Sequence, residues 1–360
     1  MGKGKRDLQR RLQAMSQQAA ARGRGQPPLV NSLFDRMREG KEYQSIVDAR
    51  VAPGVELVDD VVLGLREIER LRGRPCLMYV GNVVKNDGGV SSLDSSDDLP
   101  FRELVGQVPT EQRAVDIFLS TRGGLAHQVA NFVNCLRDRF DEVHFLIPSF
   151  CMSAGTLFAL SGDSIWMTER ACLGPIDPQV QTTSGRYVPA QALMALLDEL
   201  QRRGDESLAE GKPLPWAYVR AIDSLDKKEL GEAITASRYA EEMASRFIQD
   251  YKFRNWNIRA TSGAAVTEEY KASRAAEIAA QLVKHDRWKN HGHSISRDVL
   301  ASELKLRIDH PEPDLNQAMV RLWAVCTYVI DKTPTVKLIC STQYRYLRML
   351  NPRTPGKEAP

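Results

Sequence analysis

The feature that most constrains this chain is an alternation between residues 75 and 169. "PCLMYVG" (75–81), "AVDIFLST" (114–121), "EVHFLIPS" (142–149) and "DSIWMTE" (163–169) are short apolar runs of strand length. Between the last three lie "RGGLAHQVANFVNCLRDRF" (122–140), a glycine pair opening an amphipathic helix, and "SAGTLFALSG" (153–162), a second helix. Buried strands alternating with helices give an α/β domain with a mostly parallel sheet and repeated βα units. The first strand follows a helix-spaced segment, "ELVDDVVLGLREIERLRG", and precedes an acidic, Gly/Ser-rich loop, "NDGGVSSLDSSDDLPF" (86–101).

After residue 188 the spacing turns almost wholly helical, in "PAQALMALLDELQRRG", "KKELGEAITASRYAEEMASRFIQDY" and "EEYKASRAAEIAAQLVKHDRW"; "TVKLICS" (335–341) reads as a late strand. The expected organisation has four parts. Residues 1–35 are a basic flexible tail, 36–187 the α/β core, and 188–350 a mainly helical region for dimerisation or for covering a cleft. Residues 351–360 are a disordered tail. The N-terminal 30 residues hold too few large apolar side chains to offset the entropy of ordering. They are basic but lack interleaved aromatic residues, so no nucleic-acid partner is expected.

Composition excludes several classes. A net charge of +3 is too small to call for a polyanion. Six cysteines without CxxC spacing read as reduced thiols in a cytoplasmic protein. No apolar run reaches the ~18 residues of a membrane span. No metal-spaced cluster and no Walker motif occurs, so neither metal nor nucleotide nor other cofactor is expected.

Two strand-to-helix turns carry the chemistry. Ser120-Thr121-Arg122-Gly123-Gly124 ends a strand in a glycine pair, where backbone N–H groups can turn outward. Such groups stabilise negative charge and can supply half of an oxyanion hole. Ser153-Ala154-Gly155 lies at the next such turn, at the carboxyl edge of the sheet. The two turns together supply a nucleophile, Ser153, and oxyanion donors at the glycine pair and Ala154. Either turn alone also reads as an ordinary tight turn or a serine N-cap.

The combination of Thr121-Arg122-Gly123-Gly124, Met152-Ser153-Ala154-Gly155-Thr156 and Leu173-Gly174-Pro175-Ile176-Asp177-Pro178-Gln179 resembles the Clp-protease/crotonase fold. Within it the chain is most similar to the serine-dehydrogenase-proteinase family, relatives of signal peptide peptidase A. The likeness covers residues 70–255, with an echo at "RWKNHGHSI", and departs from the family at Arg122, where proline is usual. It implies peptide-bond hydrolysis through an acyl-enzyme at Ser153, with Gly124 or Gly123 and Ala154 as oxyanion donors. It further implies that segments around Gly124–Leu125 and Phe150–Cys151 bind a peptide as an added strand, and that "LGPIDPQ" shapes the far wall of the cleft.

A serine needs a base. Where Clp proteases carry a histidine after the serine, this chain reads "LGPIDPQVQ". A Ser-Lys dyad, as in signal peptide peptidase A, points to Lys212, the one lysine between Ser153 and Lys227, set before Pro213, Pro215, Trp216 and Tyr218. A lysine serves as base when burial or a cationic neighbour lowers its pKa. The rival is His291, in a segment that also holds His285 and His293. Asp177 either orients a base or closes a turn before Pro178. The leading expectation is thus a homo-oligomeric serine peptidase acting on peptides or proteins. The alternatives are an inactive peptide-binding scaffold of the same fold and a crotonase-like acyl-CoA enzyme.

Overall fold

The apolar runs are strands in the computed structural model, which describes residues 33–49, 56–182, 185, 187–259 and 261–350. They are β1 (Cys76–Gly81), β2 (Ala114–Ser120), β3 (Glu142–Ile147), the two-residue β4 (Phe150–Cys151), β5 (Ser164–Met167) and the two-residue β6 (Cys172–Leu173). An antiparallel pair follows, β7 (Gln179–Gln181) and β8 (Tyr187–Pro189). β9 (Ile295–Ser296), β10 (Thr335–Cys340) and β11 (Arg345–Met349) come late. The main helices are α1 (Glu56–Arg72), α2 (Asp98–Gly106), α3 (Ala126–Arg139), α4 (Ala154–Leu160), α5 (Ala190–Ala209), α6 (Trp216–Asp223), α7 (Lys227–Phe247), α8 (Glu268–Val283) and α9 (Pro313–Lys332).

The central sheet has the order β11–β10–β1–β2–β3–β5. Its β1, β2, β3 and β5 run parallel, while β10 and β11 add in the antiparallel sense. Every residue of β1 and β10 is buried, as the strand interior of a covered sheet requires. A second sheet, β4–β6–β9, stands where the chain leaves β3. The core between β2, α2, α3 and α4 is aromatic. Phe101 stacks on Phe132 at 4.1 Å, and Phe158 meets Phe145 edge-on at 4.9 Å. All seven residues of α4 are buried in it, so the helix that begins after Ser153 has no freedom to drift.

The described residues from 56 to 350 form one compact unit. β10 and β11, from beyond the expected core boundary at 187, complete the central sheet from the far end of the chain. The described residues from 33 to 49 form a separate unit with two short helices, Leu33–Arg36 and Glu42–Asp48. The expected N-terminal tail thus gives way to helix at Leu33; the rest of that tail, and the one at 351–360, lie outside the described residues. No helix among the described residues is long and apolar enough to cross a membrane.

One buried charge sets a stability prediction. Lys252 ends the π-turn Ile248–Lys252, and burial pushes its ammonium down to about 8, with Asp309 opposing the shift. The folded protein therefore releases this proton before the unfolded chain does. The unfolded state binds more protons between pH 8 and 10.5, so this group adds stability as pH rises through that window. Lys252→Met is expected to raise Tm at pH 7 by roughly 2–4 °C, about 1 kcal/mol in a large domain. The gap between variant and wild type should shrink from pH 7 to 10. Parallel melting curves across that range check both.

Candidate active site

The carboxyl ends of β1, β2 and β3 meet at one edge of the sheet, and the two turns singled out in the sequence lie there. Ser153 bridges β4 and α4 with φ 52° and ψ −120°, a left-handed conformation that side-chain-bearing residues rarely adopt. Such strain, of order 1–3 kcal/mol, persists where surrounding packing dictates it. Here buried α4 holds one side and β4 the other. β4 is itself fixed on both edges: Thr121 N–H donates to Phe150 O, Met152 N–H donates to Thr121 O, and Gly174 N–H donates to Cys151 O. The same sharp strand-to-helix turn exposes the nucleophile in α/β hydrolases. The Ser153 hydroxyl has no hydrogen bond to it among the described residues and does not cap α4.

The glycine turn presses directly on Ser153. A Cβ on Gly123 would lie 2.8 Å from Ser153 Cβ and 3.1 Å from Ala154 N, so no side chain fits between the two turns. The sequence left both glycines as oxyanion donors; the structure separates them. Gly123 N–H donates to Thr121 Oγ1 at 3.1 Å and is engaged. Gly124 N–H and Ala154 N–H have no partner among the described residues. Gly124 is backed by Leu93: Leu93 N–H donates to Gly123 O at 2.9 Å, and Leu125 N–H to Leu93 O at 2.8 Å. Gly124 itself is exposed.

The expectation that Phe150–Cys151 pairs with a peptide strand is corrected here. Both main-chain edges of β4 are occupied, by Thr121 and by β6. The Phe150 side chain, 44% exposed, and Leu125, also 44% exposed, remain open to a bound chain. Cys151 is fully buried, and burial pushes its thiol well up, so it offers no competing nucleophile beside Ser153.

Lys212 is not brought to this edge. It follows α5, is 71% exposed and pairs with Glu210 at 2.9 Å. A solvated lysine with an acidic neighbour meets neither condition for a neutral amine base. Trp216, which was to exclude water from it, is itself 79% exposed. The histidine segment fares otherwise. His291 lies at 2.8 Å, Nδ1 to Oδ1, from Asp177, which is wholly buried. β6 and β9 bring the two together: Cys172 pairs with Ser296 and Leu173 with Ile295. Continuing four residues past Leu173 and four before Ile295 reaches Asp177 and His291. β6 also pairs with β4, so Ser153, Asp177 and His291 all leave the small sheet at the same end. A carboxylate oxygen accepts, so the contact suits an Nδ1–H donating to Asp177, with Nε2 on the other side of the ring. His293 is exposed and packs near Trp288, and His127 is exposed on α3.

A Ser–His–carboxylate row exists elsewhere. Ser164 Oγ lies 2.7 Å from His144 Nδ1, and His144 Nε2 lies 3.3 Å from Glu142. It sits at the opposite, amino end of β3 and β5, away from both free N–H turns. Ser164 Oγ also accepts from Trp166 Nε1. Burial, then the nearby Arg74, push the His144 imidazole down. Nothing among these contacts stabilises an oxyanion. Among the described residues no group of three or more His, Cys, Asp or Glu side chains is placed to hold a metal ion.

Residues 101–210, which carry both turns, match the model of the family described as ClpP-like SDH-type serine proteinase. Similar chains include two uncharacterized proteins of Methanocaldococcus jannaschii. One is 29% identical over 53% of this chain and 63% of its own length. The other is 34% identical over 25% of this chain and 29% of its own length. The chain thus spans less than two thirds of the curated relatives it matches. Among solved structures, the 1510-N membrane-bound stomatin-specific protease is similar at 13% identity and TM-score 0.36. Its serine-to-alanine mutant covers 62% of this chain and 77% of that one. Its lysine-to-alanine mutant, in complex with a substrate peptide, covers 73% and 89%. The family match and the mostly parallel sheet agree with the Clp-type α/β fold expected from the sequence.

Proposed function

We propose that this protein is a serine peptidase of the SDH type that hydrolyses peptide bonds through an acyl-enzyme at Ser153. The observation that carries the reading is the left-handed Ser153 turn pressed against Gly123, with the N–H groups of Gly124 and Ala154 left free beside it. A peptide lies extended along the exposed Gly124. Ser153 Oγ attacks its carbonyl carbon as His291 Nε2 takes the hydroxyl proton. Asp177, on Nδ1, holds the ring in that tautomer and stabilises the imidazolium. The oxyanion of the tetrahedral intermediate accepts from Gly124 and Ala154, each donor worth a factor of about 10²–10³. Collapse breaks the C–N bond and the amine leaves with the proton from His291. Water, deprotonated by the same nitrogen, then cleaves the ester. His291 replaces the Ser-Lys dyad first expected, since exposure of Lys212 removes the reason to choose it.

Homo-oligomerisation and a cytoplasmic setting belong to the same reading. α6 buries none of its residues and exposes Trp216, Val219 and Ile222, and all six cysteines are free thiols. The function is tested by incubating the protein with an unfolded protein substrate and following new α-amino groups. Release of peptides by wild type and its loss in Ser153→Ala supports hydrolysis. Retention of bound, uncut substrate by both would favour a peptide-binding scaffold.

A further inference from the structure

Far from the matched segment, in β10, Lys337 is fully buried. All three of its N–H bonds are committed: two to the carboxylate of Asp97, at 2.7 Å each, and one to the carbonyl of Ser92, at 2.8 Å. Asp97 in turn accepts from Tyr79 Oη at 2.8 Å and from Asp94 N–H at 3.1 Å. The Ser92 carbonyl and the Leu93 N–H belong to one peptide group. That N–H donates to the Gly123 carbonyl at 2.9 Å. The Gly123 carbonyl and the Gly124 N–H belong to the next peptide group in line. Two peptide dipoles are therefore joined head to tail, with an ammonium at one end and the free Gly124 N–H at the other.

Resting on the peptidase reading above, we infer that Lys337 is a positioning residue for the oxyanion site, acting through the peptide groups Ser92–Leu93 and Gly123–Gly124. A cation on the Ser92 oxygen draws electron density toward itself and makes Leu93 N–H a stronger donor. The same polarisation passes to Gly123 oxygen and strengthens Gly124 N–H. Hydrogen-bonded chains reinforce one another in this way in low-dielectric surroundings. The contact is also mechanical. Leu93 backbone atoms occupy the space 2.2–2.9 Å from where a Gly124 Cβ would be, so the position of Leu93 sets the orientation of the Gly124 peptide. Asp97 and Tyr79 keep the ammonium aimed at Ser92. Oxyanion donors act through orientation fixed before the charge develops, and this buttress fixes it.

The test uses a small fluorophosphonate, the full-length protein, and Lys337→Met. Because taking its nearest cation from buried Asp97, which keeps only Arg348 at 3.8 Å, destabilises the fold, the double variant Lys337→Met/Asp97→Asn is made alongside and decides the matter if the single variant does not fold. Two readouts are taken. The first separates the maximal rate of Ser153 modification from the half-saturating reagent concentration. The second is hydrogen exchange at the Leu93 amide, which needs no activity. The expected result is a maximal rate lower by about 10–100-fold, within the loss of one oxyanion donor. Half-saturation should be unchanged, and the Leu93 amide should exchange at least roughly tenfold faster while β3 stays protected. A folded variant that reacts at the wild-type rate overturns the inference. If wild type itself takes no label, the peptidase reading falls, and exchange alone decides: unchanged protection at Leu93 then overturns the positioning role.

Discussion

Asp177→Asn is expected to reduce Ser153 reactivity by about 10⁴-fold while leaving the fold intact, as loss of the orienting carboxylate does in serine triads. The carboxylate is fully buried and receives His291 Nδ1 at 2.8 Å. An amide in its place can donate its own N–H to Nδ1, which puts the ring proton on Nε2 and removes the base proposed for the serine. The size distinguishes this role from turn closure before Pro178, which the same residue could have served. Loss of a turn contact lowers Tm but not the rate per folded molecule. The check is the rate of peptide release or fluorophosphonate labelling, measured on protein whose folded fraction is known from its melting curve. Equal rates for wild type and Asp177→Asn would return Asp177 to a structural part.

Gly124→Ala is the second large effect, and it combines stability with chemistry. The added Cβ would stand 2.2 Å from Leu93 O and 2.5 Å from Leu93 N, distances no real Cβ adopts. The backbone there has φ 151°, which side chains disfavour. Leu93 cannot retreat, since its own N–H and carbonyl hold the turn and its side chain is buried. The strain is expected to cost about 3 kcal/mol. Whatever folds should have a displaced Gly124 peptide and lose about 10²-fold or more in rate. Thermal melting and labelling kinetics on the same samples separate the two losses. By contrast, Gly185→Ala lies in open space and serves as a control for backbone strain alone, since its φ is 79° with nothing within 4 Å.

How much of this was legible in the sequence follows from what kind of signal each part leaves. The strands β1 and β2 announce themselves because strands buried on both faces are mainly apolar, and β3 and β5 as short apolar runs that are partly exposed. The two turns are legible because close approach of Gly123 to Ser153 excludes side chains, and glycines and small residues record that. The two-residue strands β4, β6 and β9 leave no period, so the small sheet that joins Asp177 to His291 was not visible. Those two residues stand 114 positions apart, and the sequence could place each near the site without pairing them. Lys212 failed for a different reason. Prolines and aromatic residues beside a lysine look like shelter, but only coordinates show that Trp216 faces water. Lys337 was missed because nothing in "TVKLICS" itself says that its one lysine is buried. The signal that could have found it is its setting: a charge in the middle of an otherwise apolar run, in a chain whose acidic loop carries Asp97.

The central claim is an activated Ser153 beside two free N–H groups. Its most direct measurement is the intact mass of wild type, Ser153→Ala, His291→Ala, Lys212→Ala and Ser164→Ala after exposure to a fluorophosphonate near neutral pH. The account predicts one adduct on wild type, none on Ser153→Ala, a rate reduced by about 10³-fold or more on His291→Ala, and wild-type behaviour for Lys212→Ala and Ser164→Ala. An adduct that survives Ser153→Ala, or one that vanishes with Lys212→Ala in folded protein, would contradict it.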